Sequence, residues 1–219
     1  MNPADKEFYM IRFRTRSVVF VCCILIVPGV VLATPKSKTV DVDCRDGSHT
    51  GTLNDALQTK ADHLIVRFSG ACAEQVVIQR DNVELEGVDD DATIAPAMGS
   101  AVTLDGVSRV ELRGFRAVGG EEGSSILIYE SSFVEAVGIR AEDAGEHGVY
   151  VARSDVTFTD CGFSDNTLDG LSIWRGSRVY LGGELEFYEN DRNGILVSES
   201  NLGPTPQPLF RTSSFRTQA

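Results

Sequence analysis

Short segments in which apolar and polar residues alternate recur along most of the chain. Three of them, GVYVARSD, GLSIWRGS and GILVSES, begin at Gly148, Gly170 and Gly194, and are therefore 22 and then 24 residues apart. An alternation with a period of two is typical of a β-strand with one buried face. Its recurrence at a nearly constant spacing predicts a repeat architecture in which each repeat packs on the next.

The same pattern extends toward the N-terminus. Earlier copies of this first strand begin at Val76, Ala101 and Ser125. A second strand follows each first strand, and its copies are anchored on Val83, Val110, Val134, Val156 and Val179. A third apolar position recurs at Phe115, Ile139, Phe163 and Phe187. Three strand-like pieces in each repeat predict a parallel solenoid whose coils stack about 4.8 Å apart.

Stacking of the coils places equivalent residues in columns, which we expect to form the core. The first strands contribute two columns, Val102/Ile126/Val149/Leu171/Ile195 and Leu104/Ile128/Val151/Ile173/Val197. The second strands contribute Val110/Val134/Val156/Val179 and Leu112/Ala136/Phe158/Leu181. Burying one such side chain stabilises a fold by about 1.5–3 kcal/mol, so these columns are expected to dominate its stability.

Two stretches of the chain carry a resemblance to a known family. They are GVYVARSDVTFTDCGFSDNTLDGLSIW and VYLGGELEFYENDRNGILVSES, in which Gly opens each coil and Asn166 and Asn190 each follow a Phe by three residues. Together with DNVELEGVDDDATI, they resemble parallel β-helix proteins of the pectin-lyase-like superfamily. The resemblance covers residues 64–202 and implies an all-β, right-handed parallel β-helix of about six coils. A sandwich of antiparallel strands is the alternative, whereas the Leu-rich pattern of leucine-rich repeats is absent.

Three segments lie outside these repeats. Residues 1–33 join a basic lead to an uncharged apolar stretch, which is typical of a signal peptide, with an uncleaved membrane anchor as the alternative. Residues 34–63 are expected to cap the first coil through a short helix, with Thr52 as its N-cap and Leu53, Ala56 and Leu57 on one face. Residues 203–219 contain three prolines and no acidic residue, which predicts a disordered tail.

Charge and cysteine content narrow the functional classes. The formal net charge of −12 becomes −14 without residues 1–33, which hold four basic and two acidic residues. Such acidity argues against nucleic acid as a partner. An exported chain meets an oxidising compartment, so we expect a disulfide between Cys44 and Cys72, with Cys161 left buried and unpaired. The expected location is secreted, periplasmic or at the cell surface, with a membrane contact only if the N-terminal segment is retained.

The resemblance implies polysaccharide lyases, hydrolases and epimerases, but their catalytic motifs are not found. The segment NTLDG at Asn166 interrupts the first hydrolase motif, and EHG at His147 precedes it in the wrong order. A lyase would require Arg153 or Arg175 as the base beside a calcium-bound uronate. The Asp89–Asp91 run could bind calcium through its clustered oxygens, but three adjacent carboxylates in a loop are usually only solvated. The sequence therefore predicts no catalytic residue, no metal site and no other cofactor.

Although the sequence identifies no catalytic residue, it does indicate a candidate binding face. The alternation turns Tyr129, Tyr150 and Trp174 outward on three successive first strands, where their rings could stack on sugars. Arg153 and Arg175 follow these strands and could bind hydroxyls or carboxylates. The alternative is that the rings only stabilise the sheet. An outward acidic column, Glu84, Glu111 and Glu135, is expected on the second strands.

We therefore expect an exported, non-catalytic carbohydrate-binding or cell-surface structural module. A polyuronate-active enzyme such as a polysaccharide lyase is one alternative. Another is a shortened remnant of a larger β-helix protein, because no cap follows the last coil in the sequence. The oligomeric state is left open.

Overall fold

The chain folds as an all-β parallel solenoid of about seven turns. The computed structural model describes residues 36–45, 52–204 and 209–212. The predicted signal segment, residues 1–33, lies outside the described residues, as does most of the predicted tail. The parallel solenoid predicted from the repeats is thus confirmed, with about one turn more than expected because strands before Val76 belong to it as well.

The strands are short and follow one another closely along the chain. In chain order, the first ten are β1 (Ser37–Asp43), β2 (His63–Ser69), β3 (Ala71–Cys72), β4 (Val76–Ile78), β5 (Val83–Gly87), β6 (Thr93–Ile94), β7 (Val102–Asp105), β8 (Ser108–Arg113), β9 (Arg116–Val118) and β10 (Ile126–Tyr129). The remaining eleven are β11 (Ser132–Val137), β12 (Arg140–Glu142), β13 (Val149–Ala152), β14 (Asp155–Thr159), β15 (Gly162–Ser164), β16 (Leu171–Trp174), β17 (Arg178–Gly182), β18 (Glu184–Tyr188), β19 (Ile195–Ser198), β20 (Asn201–Pro204) and β21 (Leu209–Thr212).

These strands form three parallel sheets that wrap one apolar core. The first sheet has the order β4-β7-β10-β13-β16-β19, and a glycine precedes each of its last three strands. The second sheet has the order β1-β2-β5-β8-β11-β14-β17-β20, and the third has the order β3-β6-β9-β12-β15-β18-β21. Each turn of the chain therefore contributes one strand to each sheet in succession.

The strand register confirms the predicted columns of the first and second sheets. In the first sheet, Ile126 lies between Val102 and Val149, and the series continues through Leu171 to Ile195. In the second sheet, Val134 lies between Val110 and Val156, followed by Val179. The first-sheet residues from Val102 to Leu171 are fully buried, and Ile195, on the last coil, is 4% exposed.

The predicted column on the third side is wrong in its alignment. Phe163 pairs with Ala141 and Phe187, while Ile139 lies two residues before Ala141, at the corner that precedes the strand. The spacing of 24 between Ile139 and Phe163 is misleading because the coils are offset by 22 residues there. Phe163 and Phe187 do stack face to face, with ring centroids 4.8 Å apart.

The first coil is closed by the predicted helix. The helix α1 (Leu53–Leu57) begins after Thr52, which forms a capping box with Asp55. Leu53 and Leu57 are buried in the core. The Asn54 side chain covers the edge of β4, since its Oδ1 accepts from the Val77 N–H at 3.0 Å and its Nδ2 donates to the Gln75 carbonyl at 2.7 Å. Two backbone groups at the edge of the first sheet are thereby satisfied.

The cysteine predictions agree with the structure. A disulfide joins Cys44 to Cys72, with their Cα atoms 5.2 Å apart. Cys161 is buried and unpaired, and burial raises the pKa of its thiol to about 11. The disulfide connects the segment after β1 to β3 and so ties the N-terminal strand to the second coil.

The C-terminal end differs from the N-terminal end. Within the described residues, the first sheet ends at β19, whereas the second and third sheets continue to β20 and β21. These two strands place residues 203–204 and 209–212 of the predicted tail in regular structure, because the edges of β17 and β18 offer them hydrogen-bond partners. No helix in the described part of the chain is long and apolar enough to cross a membrane.

Candidate carbohydrate-binding groove

The outward face of the first sheet carries two columns of side chains. Tyr129, Ala152 and Trp174 share one column, so that the two aromatic residues are separated by a single coil bearing alanine. Tyr150 belongs to the neighbouring column, between Leu127 and Ser172. The predicted aromatic residues therefore share one face, but they do not form a continuous stack.

A groove opens on this face over the last coils and has a volume of about 800 Å³. Two of the three predicted aromatic residues, Tyr150 and Trp174, line it together with the predicted Arg175. We call it the aromatic groove. It is lined by His147, Tyr150, Trp174, Arg175, Arg192, Leu196, Val197, Ser198 and Glu199.

The aromatic rings of the groove are held in place by their neighbours. The indole Nε1 of Trp174 donates to the Ser172 hydroxyl at 2.7 Å, two residues away on the same strand. The Tyr150 ring contacts the His147 ring, with centroids 5.7 Å apart. Both aromatic side chains are half-buried. Ring faces that are ordered before a ligand arrives lower the entropic cost of stacking on it.

A column of serines orders the corner after each first strand. Ser131, Ser154, Ser177 and Ser200 follow one another along the solenoid, and the backbone N–H of each of the first three serines donates to the hydroxyl of the next at 3.0–3.3 Å. The hydroxyls of Ser154 and Ser177 donate in turn to the carbonyls of Ala152 and Trp174. This ladder fixes the corner from which the basic side chains project.

The two predicted arginines have different surroundings. Both occupy the left-handed backbone region at this corner, with φ of 52° for Arg153 and 57° for Arg175. The Arg153 guanidinium forms an ion pair with Glu130 at 2.6 Å and lies 4.8 Å from the centroid of the Tyr129 ring. Arg153 is therefore engaged with both Tyr129 and Glu130, and neither Tyr129 nor Arg153 lines the aromatic groove.

Arg175 and Arg192 carry the positive charge of the groove. Within the described residues, neither guanidinium forms an ion pair, although most of the other arginines described there do. Glu199 is the one acidic residue among the lining residues. A chain with a net charge of −12 thus presents two arginines without ion pairs on a single face.

A second column of polar residues, not predicted from the sequence, lies at the opposite end of the first strands. His147, Asp169 and Asn193 each precede the glycine that opens a coil. Asn193 Nδ2 donates to Asp169 Oδ1 at 2.5 Å, and Asp169 Oδ2 lies 3.3 Å from His147 Nδ1. The signal was available in the repeated pairs His-Gly, Asp-Gly and Asn-Gly at equivalent positions.

The glycines of these pairs are required by close packing between coils. A Cβ atom on Gly148 would lie 2.5 Å from the Gly170 carbonyl oxygen, and one on Gly170 would lie 2.8 Å from the Gly194 carbonyl oxygen. The opening glycine therefore lets successive corners approach closely enough for the polar side chains before them to touch.

The other candidate sites from the sequence gain little from the structure. Asp89 accepts from the Gly70 N–H at 3.3 Å and lies 3.7 Å from the Arg45 guanidinium. In residues 36–45 and 52–204, no group of three His, Cys, Asp or Glu side chains is placed to hold a metal ion. In the acidic column, Arg113 pairs with both Glu84 and Glu111, which neutralises part of its charge.

A further groove of about 610 Å³ lies beside the N-terminal helix. The Arg80 side chain in it donates to the carbonyls of Thr59 and Ala61. Those carbonyls belong to the chain that leaves helix α1. The groove therefore belongs to the N-terminal closure of the solenoid.

Comparisons with known proteins assign no family to this chain. No family model matches the chain, and no curated protein matches its sequence. Among solved structures, ORF18 of Geobacillus virus E2 is similar, with 10% sequence identity and a TM-score of 0.45. The match covers 74% of this chain and 52% of ORF18, so the chain spans about half the length of that protein.

Proposed function

We propose that the solenoid binds an acidic polysaccharide in the aromatic groove. The observation that supports this most is the meeting of two ordered aromatic rings, Tyr150 and Trp174, with two arginines that form no ion pair in the described residues. Ring faces stack on the apolar faces of sugars, and guanidinium groups bind carboxylates or sulfates through paired hydrogen bonds. A groove along a sheet of stacked coils suits an extended polymer.

The acidity of the chain constrains the strength of this interaction. The net charge of −12 opposes the approach of a polyanion at long range. Attraction is then confined to the groove, because salt at physiological strength screens the interaction between exposed charges that are more than about 8 Å apart. We expect weak, local binding that depends on the rings as much as on the arginines.

We also propose a family and a cellular location. The solenoid is of the pectin-lyase-like type, and the chain is exported, with residues 1–33 removed as a signal peptide. The disulfide between Cys44 and Cys72 supports an oxidising compartment. The mass of the secreted protein tests this part, because retention of residues 1–33 would replace cleavage by a membrane anchor.

Binding is tested by titrating the protein with polygalacturonate, dextran sulfate and neutral dextran. Trp174→Ala and Tyr150→Ala should each weaken binding of the two acidic polymers by about tenfold, the equivalent of one stacked ring. Tyr180→Ala is the matched control, because Tyr180 is 36% exposed on the second sheet. Unchanged binding in both groove variants would remove the site, and equal binding of neutral dextran would remove the preference for acidic polymers.

The same titration separates the other functional hypotheses. If no polysaccharide binds, a structural module or a remnant of a larger protein accounts better for the chain. If polygalacturonate is cleaved to products with the ultraviolet absorption of unsaturated uronates, the groove is that of a lyase.

A further inference from the structure

The Nδ1 side of the His147 imidazole lies against the buried carboxylate of Asp169. The Asp169 side chain is fully buried, and its Oδ1 already accepts from Asn193. Its Oδ2 lies 3.3 Å from His147 Nδ1, while only 12% of the His147 side chain is exposed. Since Nδ1 faces Asp169, Nε2 is the ring nitrogen left for the aromatic groove, which His147 lines.

The proton on Nδ1 decides whether the carboxylate is satisfied. The backbone N–H of Asp169 also lies 3.3 Å from Nδ1, so an unprotonated Nδ1 accepts that hydrogen bond and leaves Oδ2 without a partner among the described residues. A protonated Nδ1 donates to Oδ2 instead. Because a buried, charged oxygen without a donor is costly, the structure favours the proton on Nδ1.

The carboxylate is charged under ordinary conditions. Burial by itself raises the pKa of Asp169, but the hydrogen bonds with His147 and Asn193 and the nearby Arg192 outweigh it and hold the pKa below its usual value. His147 therefore faces a fixed negative charge on one side. On the other side it faces the groove, where Tyr150, Arg175, Arg192 and Glu199 are the titratable or charged groups.

We propose that His147 is a third anion-binding group of the groove and that it couples binding of the polysaccharide to uptake of a proton. In the neutral ring with a proton on Nδ1, Nε2 is an acceptor and repels a carboxylate or sulfate. A second proton converts Nε2 to a donor beside Arg175 and Arg192, and Asp169 compensates the new charge. By linkage, the acidic ligand that binds the protonated ring also raises its proton affinity. The inference rests on the proposed polysaccharide site.

The test is the pH dependence of binding, with dextran sulfate as the main probe because its sulfates do not titrate. As the pH is lowered from about 8 to about 5.5, the affinity of the wild type should rise about tenfold, which is the effect of one charge-assisted hydrogen bond. Ordinary Asp and Glu carboxylates stay ionised over this range. His147→Gln should bind with a flat pH profile. His63→Gln is the matched control, since His63 lies on β2 in the second sheet, and it should retain the rise.

Asp169→Asn tests the positioning role of the carboxylate. Asn193 already occupies the same column, so an amide fits there. The rise in affinity should move to lower pH, because the protonated ring loses its negative partner. Calorimetry in two buffers of different ionisation enthalpy should show uptake of about half a proton on binding near the midpoint of the rise in the wild type, the most that a tenfold rise in affinity allows, and none in His147→Gln.

The outcomes separate this inference from the proposed function. A wild type that binds dextran sulfate with a flat pH profile overturns the role of His147 and leaves the polysaccharide site intact. An equal rise in His147→Gln does the same. Absence of binding at every pH overturns both proposals.

Discussion

Replacing Asn166 by Asp changes the chemistry of one buried corner without changing its shape. Asn166 is 1% exposed. Its Nδ2 donates to Asn190 Oδ1 at 2.7 Å and to the Ala141 carbonyl at 3.3 Å, and its Oδ1 accepts from the Ala144 N–H at 3.1 Å. A carboxylate keeps the accepted bond but presents an oxygen where the two donated bonds were. The Ala141 carbonyl and Asn190 Oδ1 are then left facing a negative charge, although Asn190 Oδ1 still accepts from the backbone N–H of residue 166 at 3.3 Å.

The magnitude follows from these three contacts. Each lost hydrogen bond at a buried acceptor costs about 1–3 kcal/mol, and the retained bond to a charged acceptor offsets about 1 kcal/mol. The free energy of unfolding should therefore fall by about 3 kcal/mol at neutral pH. When the carboxyl is protonated, its O–H restores one donor, and the loss should shrink to about 1 kcal/mol.

The pH dependence has a definite sign. The folded state favours the protonated acid, so the pKa of the new carboxyl is raised above its unfolded value, and the destabilisation appears as the pH rises. The difference of about 2 kcal/mol places the folded pKa about 1.5 above the unfolded value of about 3.9, so the loss should grow as the pH rises through about 5.5 and should be complete by about pH 6.5. Urea unfolding of the variant and the wild type at a series of pH values measures it.

Thr167→Asp is the control for this experiment, because Thr167 is the exposed neighbour of Asn166. It should change the free energy of unfolding by no more than about 0.5 kcal/mol at any pH. A variant Asn166→Asp that is as stable as the wild type at pH 8, or that gains stability as the pH rises, would refute the role assigned to the amide.

Three further results are expected. Replacing Cys44 and Cys72 by Ser opens a loop with a sequence separation of 28 and should lower the free energy of unfolding by about 3.6 kcal/mol in urea; a loss below about 1 kcal/mol would mean that the N-terminal strands unfold separately. Phe133→Asn should raise the melting temperature, because Phe133 is 70% exposed at a φ of 53°, a backbone region that costs about 1 kcal/mol for most residues; a decrease would show that the ring packs against a partner. The hydrogen bond and charge interaction with Asp165 raise the pKa of Glu189, so Asp165→Asn should lower it; an unchanged NMR titration of Glu189 would show that the two side chains do not interact.

The sequence predicted the sheets better than the corners. Along the first and second strands, alternation alone identifies the buried residues, and a register error would expose them, so columns such as Val102 to Ile195 could be aligned without coordinates. The third strands are only two to five residues long and carry little alternation. There, the sequence pattern aligns Phe163 with Ile139 because both are large and apolar, whereas in the structure Ile139 packs at the preceding corner.

The candidate site shows the same division. Tyr150 and Trp174 lie on strands, and alternation placed them correctly on the outward face. Arg153 lies at a corner with a positive φ, in the same column as Glu130, so the spacing indicates their ion pair; the contact of its guanidinium with the Tyr129 ring depends on side-chain conformation, which spacing does not predict. His147 and Arg192 reach the groove from corners at the opposite end of the first strands, so their contribution could be recognised only in the three-dimensional structure.

The unequal ends of the solenoid have a mechanical consequence. Hydrogen bonds between parallel strands run along the solenoid axis, so a pull along that axis loads the coil interfaces in series. Most interfaces resist through three ladders at once, and the last is among them, with β16 to β19, β17 to β20 and β18 to β21; within the described residues, β1 is joined to β2 by a single ladder. The first coil is tied by a covalent bond. Under tension the disulfide should keep β1 attached, so separation should begin at an interface held by hydrogen bonds alone, such as the last one, where the edge strand β19 carries Leu196 and Ser198 of the aromatic groove.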